Sequence, residues 1–94
     1  MSKVTLEGHI IVPVQDLKQV LEALPEHIKL THAEPGCISF HVQQSSRKPH
    51  RFNVYEEFID REAFEFHQRR VKASHWGAIT TNVIRHYQVS EDSE

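Results

Sequence analysis

Apolar residues in this chain recur at every second position, then at helical spacing, then in two further alternating runs, then at helical spacing, and finally alternate again. That order admits few folds. From Val4 to Val12, VTLEGHIIV places Val4, Leu6, Ile10 and Val12 on one side of an extended strand and Thr5, Glu7, His9 and Ile11 on the other. Pro13 ends the strand, and Asp16 stands where a helix N-cap belongs, ahead of Leu17, Val20, Leu21 and Leu24 at helical spacing. Pro25 has no N–H to donate, so the helix is expected to kink or restart there and to continue to about Ala33. Glu34-Pro35-Gly36-Cys37 reads as a stop, because Pro35 disfavours helix at Glu34 and Gly36 can take the positive φ of a sharp turn. CISFHVQQ then alternates Ile38, Phe40 and Val42 against Ser39, His41 and Gln43. Beyond the polar SSRKPHR, FNVYEEFI alternates Phe52, Val54, Glu56 and Phe58 against Asn53, Tyr55 and Glu57, completing a hairpin. Asp60 caps a second helix, REAFEFHQRRVKASHWG, with Ala63, Phe64, His67 and Val71 on one stripe and Gly77 loosening its end. AITTN leads to a last strand, VIRHYQV, and the tail SEDSE has nothing apolar to hold it.

Strand, helix, strand, strand, helix, strand predicts an α+β chain of the ferredoxin-like βαββαβ type, with both helices on one face of an antiparallel sheet. A single domain over residues 1–89 and a disordered acidic tail over 90–94 are expected. The other sheet face is left bare, and Ile38, Phe40 and Val42 or their neighbours must lie on it, so a partner sheet is its natural cover. Length points the same way: a 94-residue chain buries only about 60 to 65 percent of its unfolded surface, which favours pairing with a second copy.

Eleven Lys and Arg against thirteen Asp and Glu give a net charge of −2, without the basic footprint that nucleic acid requires. The single Cys37 excludes an internal disulfide framework and a Cys-rich zinc module. Met-Ser-Lys-Val lacks the apolar stretch of a signal peptide, and no apolar run approaches the roughly 18 residues of a membrane span, so a cytoplasmic protein is expected.

Two residues carry the chemistry. His67 lies on the apolar stripe of the second helix, and Glu56 is the polar member of an otherwise apolar strand face, so both are expected on the helix side of the sheet. A carboxylate beside an imidazole in an apolar cavity makes a general base suited to a weak carbon or phenol acid; the plainer reading is a satisfied buried pair tying helix to sheet. Trp76, Phe64 and Tyr55 supply material for a flat wall against an aromatic ligand, or for core packing alone. Eight His invite a metal reading, yet no pair stands at i and i+4 with an adjacent acid, and scattered surface His is the simpler account; His9, His41 and His86 would have to meet across strands. Arg61, Arg69, Arg70 and Lys72 read as a solvated face paired with Glu62 and Glu65, and Arg47, Lys48, His50 and Arg51 as a solvated hairpin loop.

Glu34-Pro35-Gly36-Cys37 together with Tyr55-Glu56-Glu57-Phe58 and Ala63-Phe64-Glu65-Phe66-His67 resembles the antibiotic biosynthesis monooxygenase (ABM) family of dimeric α+β barrels, over about Val4 to Val89. The resemblance implies a ferredoxin-like subunit whose sheet packs on a second copy to close a barrel. It also implies a choice of activities: oxygenation of quinols, anthrones and related polyketide phenols without a cofactor, or oxidative haem breakdown. Haem-degrading members rely on an Asn in the first strand, a Trp in the second helix and a downstream His. Here strand 1 has no Asn and the helix slot holds His67, although His75 can match the haem-ligating His, so haem breakdown is disfavoured. The polyketide oxygenases use Asn, Trp and Tyr around their substrate, types that Asn53, Trp76 and Tyr55 supply.

The expectation is therefore a homodimeric quinol-type monooxygenase that takes molecular oxygen and an electron-rich hydroxylated aromatic and needs no metal or other cofactor. His67 is the expected base and Glu56 its orienting partner, with Trp76, Phe52 and Phe58 as the pocket wall and Tyr55 and Asn53 as further substrate contacts. The alternatives are a non-enzymatic dimer that binds a small apolar ligand, and an isomerase that uses the same base without oxygen.

Overall fold

In the computed structural model, which describes residues 2–92, strand β1 (Val4–Ile11) sits inside a four-stranded antiparallel sheet of order β2-β3-β1-β4. The other strands are β2 (Cys37–Gln44), β3 (Arg51–Phe58) and β4 (Ile84–Glu91), and the helices are α1 (Leu17–His32), α2 (Arg61–Lys72) and α3 (His75–Ile79). The expected βαββαβ order and ferredoxin-like sheet are present. Central β1 pairs with β3 from Val4 opposite Phe58 to Ile11 opposite Arg51, and with β4 from Val4 opposite Glu91 to Ile11 opposite Ile84. Opposed residues share a face, so the buried Val4, Leu6 and Ile10 of β1 lie beside the buried Phe58, Glu56 and Phe52 of β3, under the helices.

The local signals were mostly decided by side-chain placement. Pro25 does not restart the helix: α1 runs unbroken across it, and the carbonyl that loses its donor belongs to Leu21, an exposed residue, where solvent can take the donor's place. Asp16 is not a cap. It closes a 3₁₀ turn over Val14–Asp16, with helical φ and ψ of −101° and −8°, and its carboxyl makes no capping bond. Asp60 does cap α2, accepting from the Ala63 N–H at 2.8 Å, an interaction worth about 1 kcal/mol. The second helix ends at Lys72 instead of running to Gly77, because Ser74 is extended and starts α3 by accepting from the Gly77 N–H at 3.2 Å. Trp76 therefore belongs to a separate helix.

Gly36 does not use a positive φ; it is small because a Cβ there would run into Ala63 of α2. The positive φ is at Gly8, 156°, where a Cβ would strike the His86 carbonyl of β4. A β-bulge between Cys37 and Ser39 turns Cys37 inward opposite Phe58 and ejects Ile38, which is 51% exposed and does not continue the Phe40 and Val42 face. With Phe40 and Val42 both turned toward the helices, the bare sheet face is polar, carrying Glu7, His9, His41, Tyr55, Glu57 and His86, with Ile11 and Ile84 at one end. Of the two β2 sets open to that face, it is the neighbours Ser39, His41 and Gln43 that lie on it, so β2 adds no apolar residue there. The tail is also shorter than expected: Ser90 and Glu91 pair with Thr5 and Val4, and the Asp92 N–H donates to the Lys3 carbonyl at 2.9 Å. Residues 93 and 94 of the expected tail lie outside the described residues.

Candidate functional site

Residues 27, 31 and 34 stand four and three apart, so α1 and the turn after it deliver His27, Thr31 and Glu34 along one line. From α2, His67 and Arg70 point back at that line. His67 Nδ1 lies 2.9 Å from Glu34 Oε2, Arg70 Nε donates to the same oxygen at 2.6 Å, and Arg70 Nη2 donates to Thr31 Oγ1 at 2.9 Å. Thr31 in turn donates to the His27 carbonyl at 2.9 Å. With Glu34 accepting from Nδ1–H, the lone pair of His67 is on Nε2, and that atom is 3.7 Å from Glu56 Oε1. This gap is too long for a hydrogen bond. Glu34, not Glu56, is therefore the orienting partner of His67, and Glu56 Oε1 is buried with no partner.

Charge is scarce in this cluster. Burial, reinforced by the charge on Glu34, pushes the Glu56 carboxyl up to about 8, so it holds its proton at neutral pH. Burial also lowers His67; the Glu34 hydrogen bond and charge oppose that, and Arg70 adds to it. His27 drops to about 3, through burial first and then His67 and Arg70. Two neutral imidazoles and a neutral carboxyl thus stand beside one Arg70–Glu34 ion pair.

Above them opens a cavity of about 640 Å³, in the range of small-molecule sites. Its buried end is formed by Glu56, His67, His27 and Phe40, with Val42, Val54 and Trp76 on the walls and Gln68, Lys72, Thr81 and Arg85 at the exposed end. His27 stacks flat on Trp76, ring centres 4.4 Å apart and planes within 3°, and Phe40 meets the edges of His27 and His67. Tyr87 of β4 also lines the cavity, and burial, then the charge of an ionised Glu56, pushes its hydroxyl up to about 12 against the opposing pull of Arg85.

Of the residues singled out in the sequence, the structure brings His67, Glu56 and Trp76 together at this cavity. Phe58 touches the His67 ring from behind, centres 4.9 Å apart, and Phe52 is wholly buried in the core; neither lines the cavity, whose aromatic walls are Phe40, Trp76 and Tyr87. Tyr55 and Asn53 are on the other face of the sheet, since the alternation that turns Glu56 inward turns its neighbours outward. There Tyr55 donates to Glu57, and Asn53 accepts from Arg51 Nε at 3.1 Å. Phe64 packs on Phe58 away from the cavity, and His75 is exposed on α3.

Sequence reading missed Glu34, His27, Thr31 and Arg70 as a group. Glu34 was absorbed into a stop signal and Arg70 into a solvated face, although the 27-31-34 spacing carried the information. Arg61, read into the same face, bridges instead to Glu91 of β4, Nη2 to Oε1 2.5 Å. His9 and His86 stack at 4.7 Å across β1 and β4, but His41 is two strands away from His9. Among the described residues no three His, Cys, Asp or Glu side chains are grouped to hold a metal ion, and no helix is long and apolar enough to cross a membrane.

Comparison with known proteins places this geometry in context. The family model described as antibiotic biosynthesis monooxygenase matches residues 5–79. No curated protein matches. Among solved structures, the Pseudomonas aeruginosa protein PA3566 superposes with a TM-score of 0.78 at 18% identity, covering 100% of this chain and 95% of its own. A Bacteroides thetaiotaomicron protein of unknown function, regarded as a possible oxidoreductase, gives 0.75 at 19% identity over 97% and 96% of the two chains. A candidate antibiotic biosynthesis monooxygenase from Nitrosomonas europaea gives 0.72 at 20% identity over 99% and 89%. At such identities the superpositions speak for the fold, and the match over residues 5–79 speaks for kinship: the chain belongs to the antibiotic biosynthesis monooxygenase family.

Proposed function

We propose that the protein is a homodimeric monooxygenase acting on an electron-rich hydroxylated aromatic of the quinol or anthrone type, with oxygen as co-substrate and no cofactor. The observation that carries this reading is a neutral, oriented His67 whose free Nε2 faces a protonated Glu56 at the buried end of the cavity. In the first step the substrate hydroxyl gives its proton to Nε2, and Glu34 steadies the imidazolium that forms. The phenolate passes one electron to O2, and the resulting radicals join through a new C–O bond at the activated ring carbon. Glu56 protonates the peroxide; loss of the ring C–H proton and cleavage of O–O then release water. One CH becomes a carbonyl, one oxygen atom enters the product and the other leaves as water, and the substrate supplies all four electrons. Apolar walls keep stray water from the intermediate.

The second copy would cover the bare sheet face and β4, an edge strand whose eight residues are all exposed. A non-enzymatic ligand-binding dimer is the second reading, favoured by the Arg70–Glu34 pair, which ties α2 to the end of α1 whether or not chemistry occurs.

Oxygen uptake with dihydroxynaphthalenes and anthrones, corrected for autoxidation, tests the proposal against His67→Ala whose fold has been verified by circular dichroism. Loss of about 100-fold or more in rate is expected for removing a general base. Unchanged turnover in the variant removes His67 from the mechanism; product formation without oxygen consumption indicates an isomerase. Sedimentation equilibrium checks the dimer.

A further inference from the structure

We infer that the ligand of this cavity is an anionic hydroxylated aryl acid, its acid group held at the open end by Arg85 and Lys72 and its hydroxyl at the buried end by Glu56 and His67. The inference rests on the proposed reaction at this site and adds the substrate's charge and polarity.

The cavity is lined by two cations, Lys72 and Arg85, and by one acid, Glu56, which stays protonated near neutrality. Among the described residues neither cation has a carboxylate at ion-pair distance. Arg85 is instead braced by neutral acceptors, Nη2 donating to Thr80 Oγ1 at 3.1 Å and Nη1 to the Val83 carbonyl at 3.4 Å, which fixes its position and leaves its charge uncompensated. In a chain of net charge −2, two unpaired cations converging on one cavity are not a by-product of overall basicity.

The buried end makes the second demand. Glu56 Oε1 and His27 Nδ1, on residues each 6% exposed, have no hydrogen-bond partner. Buried polar atoms left unmatched are costly, and a ligand hydroxyl or carbonyl reaching them relieves that cost. Between the two ends the walls are apolar or aromatic, with Trp76 offering a flat face. A planar aryl body with a hydroxyl at one end and a carboxylate at the other meets all three requirements.

Calorimetric titration of the intact protein under nitrogen with 6-hydroxy-2-naphthoate and with its neutral amide, 6-hydroxy-2-naphthamide, tests the inference without turnover. The acid is expected to bind at least about 10-fold tighter at pH 7 in low salt, with the margin shrinking as ionic strength rises. In Arg85→Gln, and further in Arg85→Gln with Lys72→Gln, the margin should fall to about threefold or less while the amide's affinity holds. Both residues are exposed, so the variants should fold. Equal binding of acid and amide, an unchanged margin in the double variant, or no binding of either compound overturns the inference. Acid-selective binding without oxygen uptake on any aryl acid would retain it and remove the oxygenase reading; uptake with no acid preference would do the reverse.

Discussion

Replacing Glu56 by Gln should stabilise the protein, and increasingly so as pH rises. The unfolded carboxyl ionises near its ordinary 4.5, whereas in the fold burial and the Glu34 charge hold the proton to about 8. Below 4.5 both states are protonated and the group contributes no pH-dependent term. Between 4.5 and 8 the unfolded state gains from ionisation that the native state forgoes, so a penalty on folding builds up and levels off above 8. With one pKa unit worth 1.36 kcal/mol, the penalty is about 1 kcal/mol at pH 5, about 3 at pH 7 and about 4 at pH 8. Gln keeps the shape of the protonated side chain and cannot ionise, so it removes this term. Urea denaturation at fixed protein concentration should give unfolding free energies about 1 kcal/mol apart at pH 5 and about 4 kcal/mol apart at pH 8. A gap independent of pH would refute the protonated carboxyl, and with it Glu56 as the proton donor to peroxide.

His27 and Gly8 give two further tests. His27→Phe should flatten the acid limb of the stability curve: a histidine held down to about 3 is neutral in the fold, so native stability is complete above 6.5 and falls as pH drops from 6.5 toward 3, by up to about 4 to 5 kcal/mol, and Phe keeps the stack on Trp76 without that term. Thermal melts at pH 4 and pH 7 measure it, and equal losses in both proteins would contradict the assignment. Gly8→Ala should cost about 2 kcal/mol or more, since it imposes strain at φ 156° and drives a methyl into the His86 carbonyl; an unchanged melting temperature would show that β1 and β4 do not meet as described.

The order of elements, the strand faces of β1 and β3 and the cap at Asp60 were legible in the sequence because each depends on neighbours a few residues away. The departures have tertiary causes. Pro25 is tolerated where Leu21 is exposed, Ile38 is ejected because Cys37 takes the place opposite Phe58, and Ser90 and Glu91 are ordered because β1 offers them a free edge. At the site, His67 and Glu56 could be found as polar residues on apolar faces. Arg70 stands three residues after His67 and so shares its face of α2, unlike Arg69, but its partner Glu34 lies on another element, and only the position of α1 shows that the guanidinium reaches it. Tyr55 and Asn53 had the right chemistry for a substrate site and the wrong parity for this one.

Burial sets the protonation state that the proposed reaction needs, and Arg70 adds to it. A histidine bonded to a lone buried carboxylate is drawn toward the imidazolium form, in which Nε2 carries a proton and can accept none. Glu34 exerts that pull on His67, yet burial outweighs it and Arg70 works in the same direction as burial. The guanidinium donates to the very oxygen that holds Nδ1, so Glu34 keeps its geometric role while Arg70 opposes part of its pull on His67. Orientation thus comes from Glu34 and the lowered basicity chiefly from burial. In the proposed reaction, the transfer of the substrate proton to Nε2 creates the imidazolium inside a water-poor cavity. Glu34 is already aligned to receive it, so the charge is stabilised when it forms and not before.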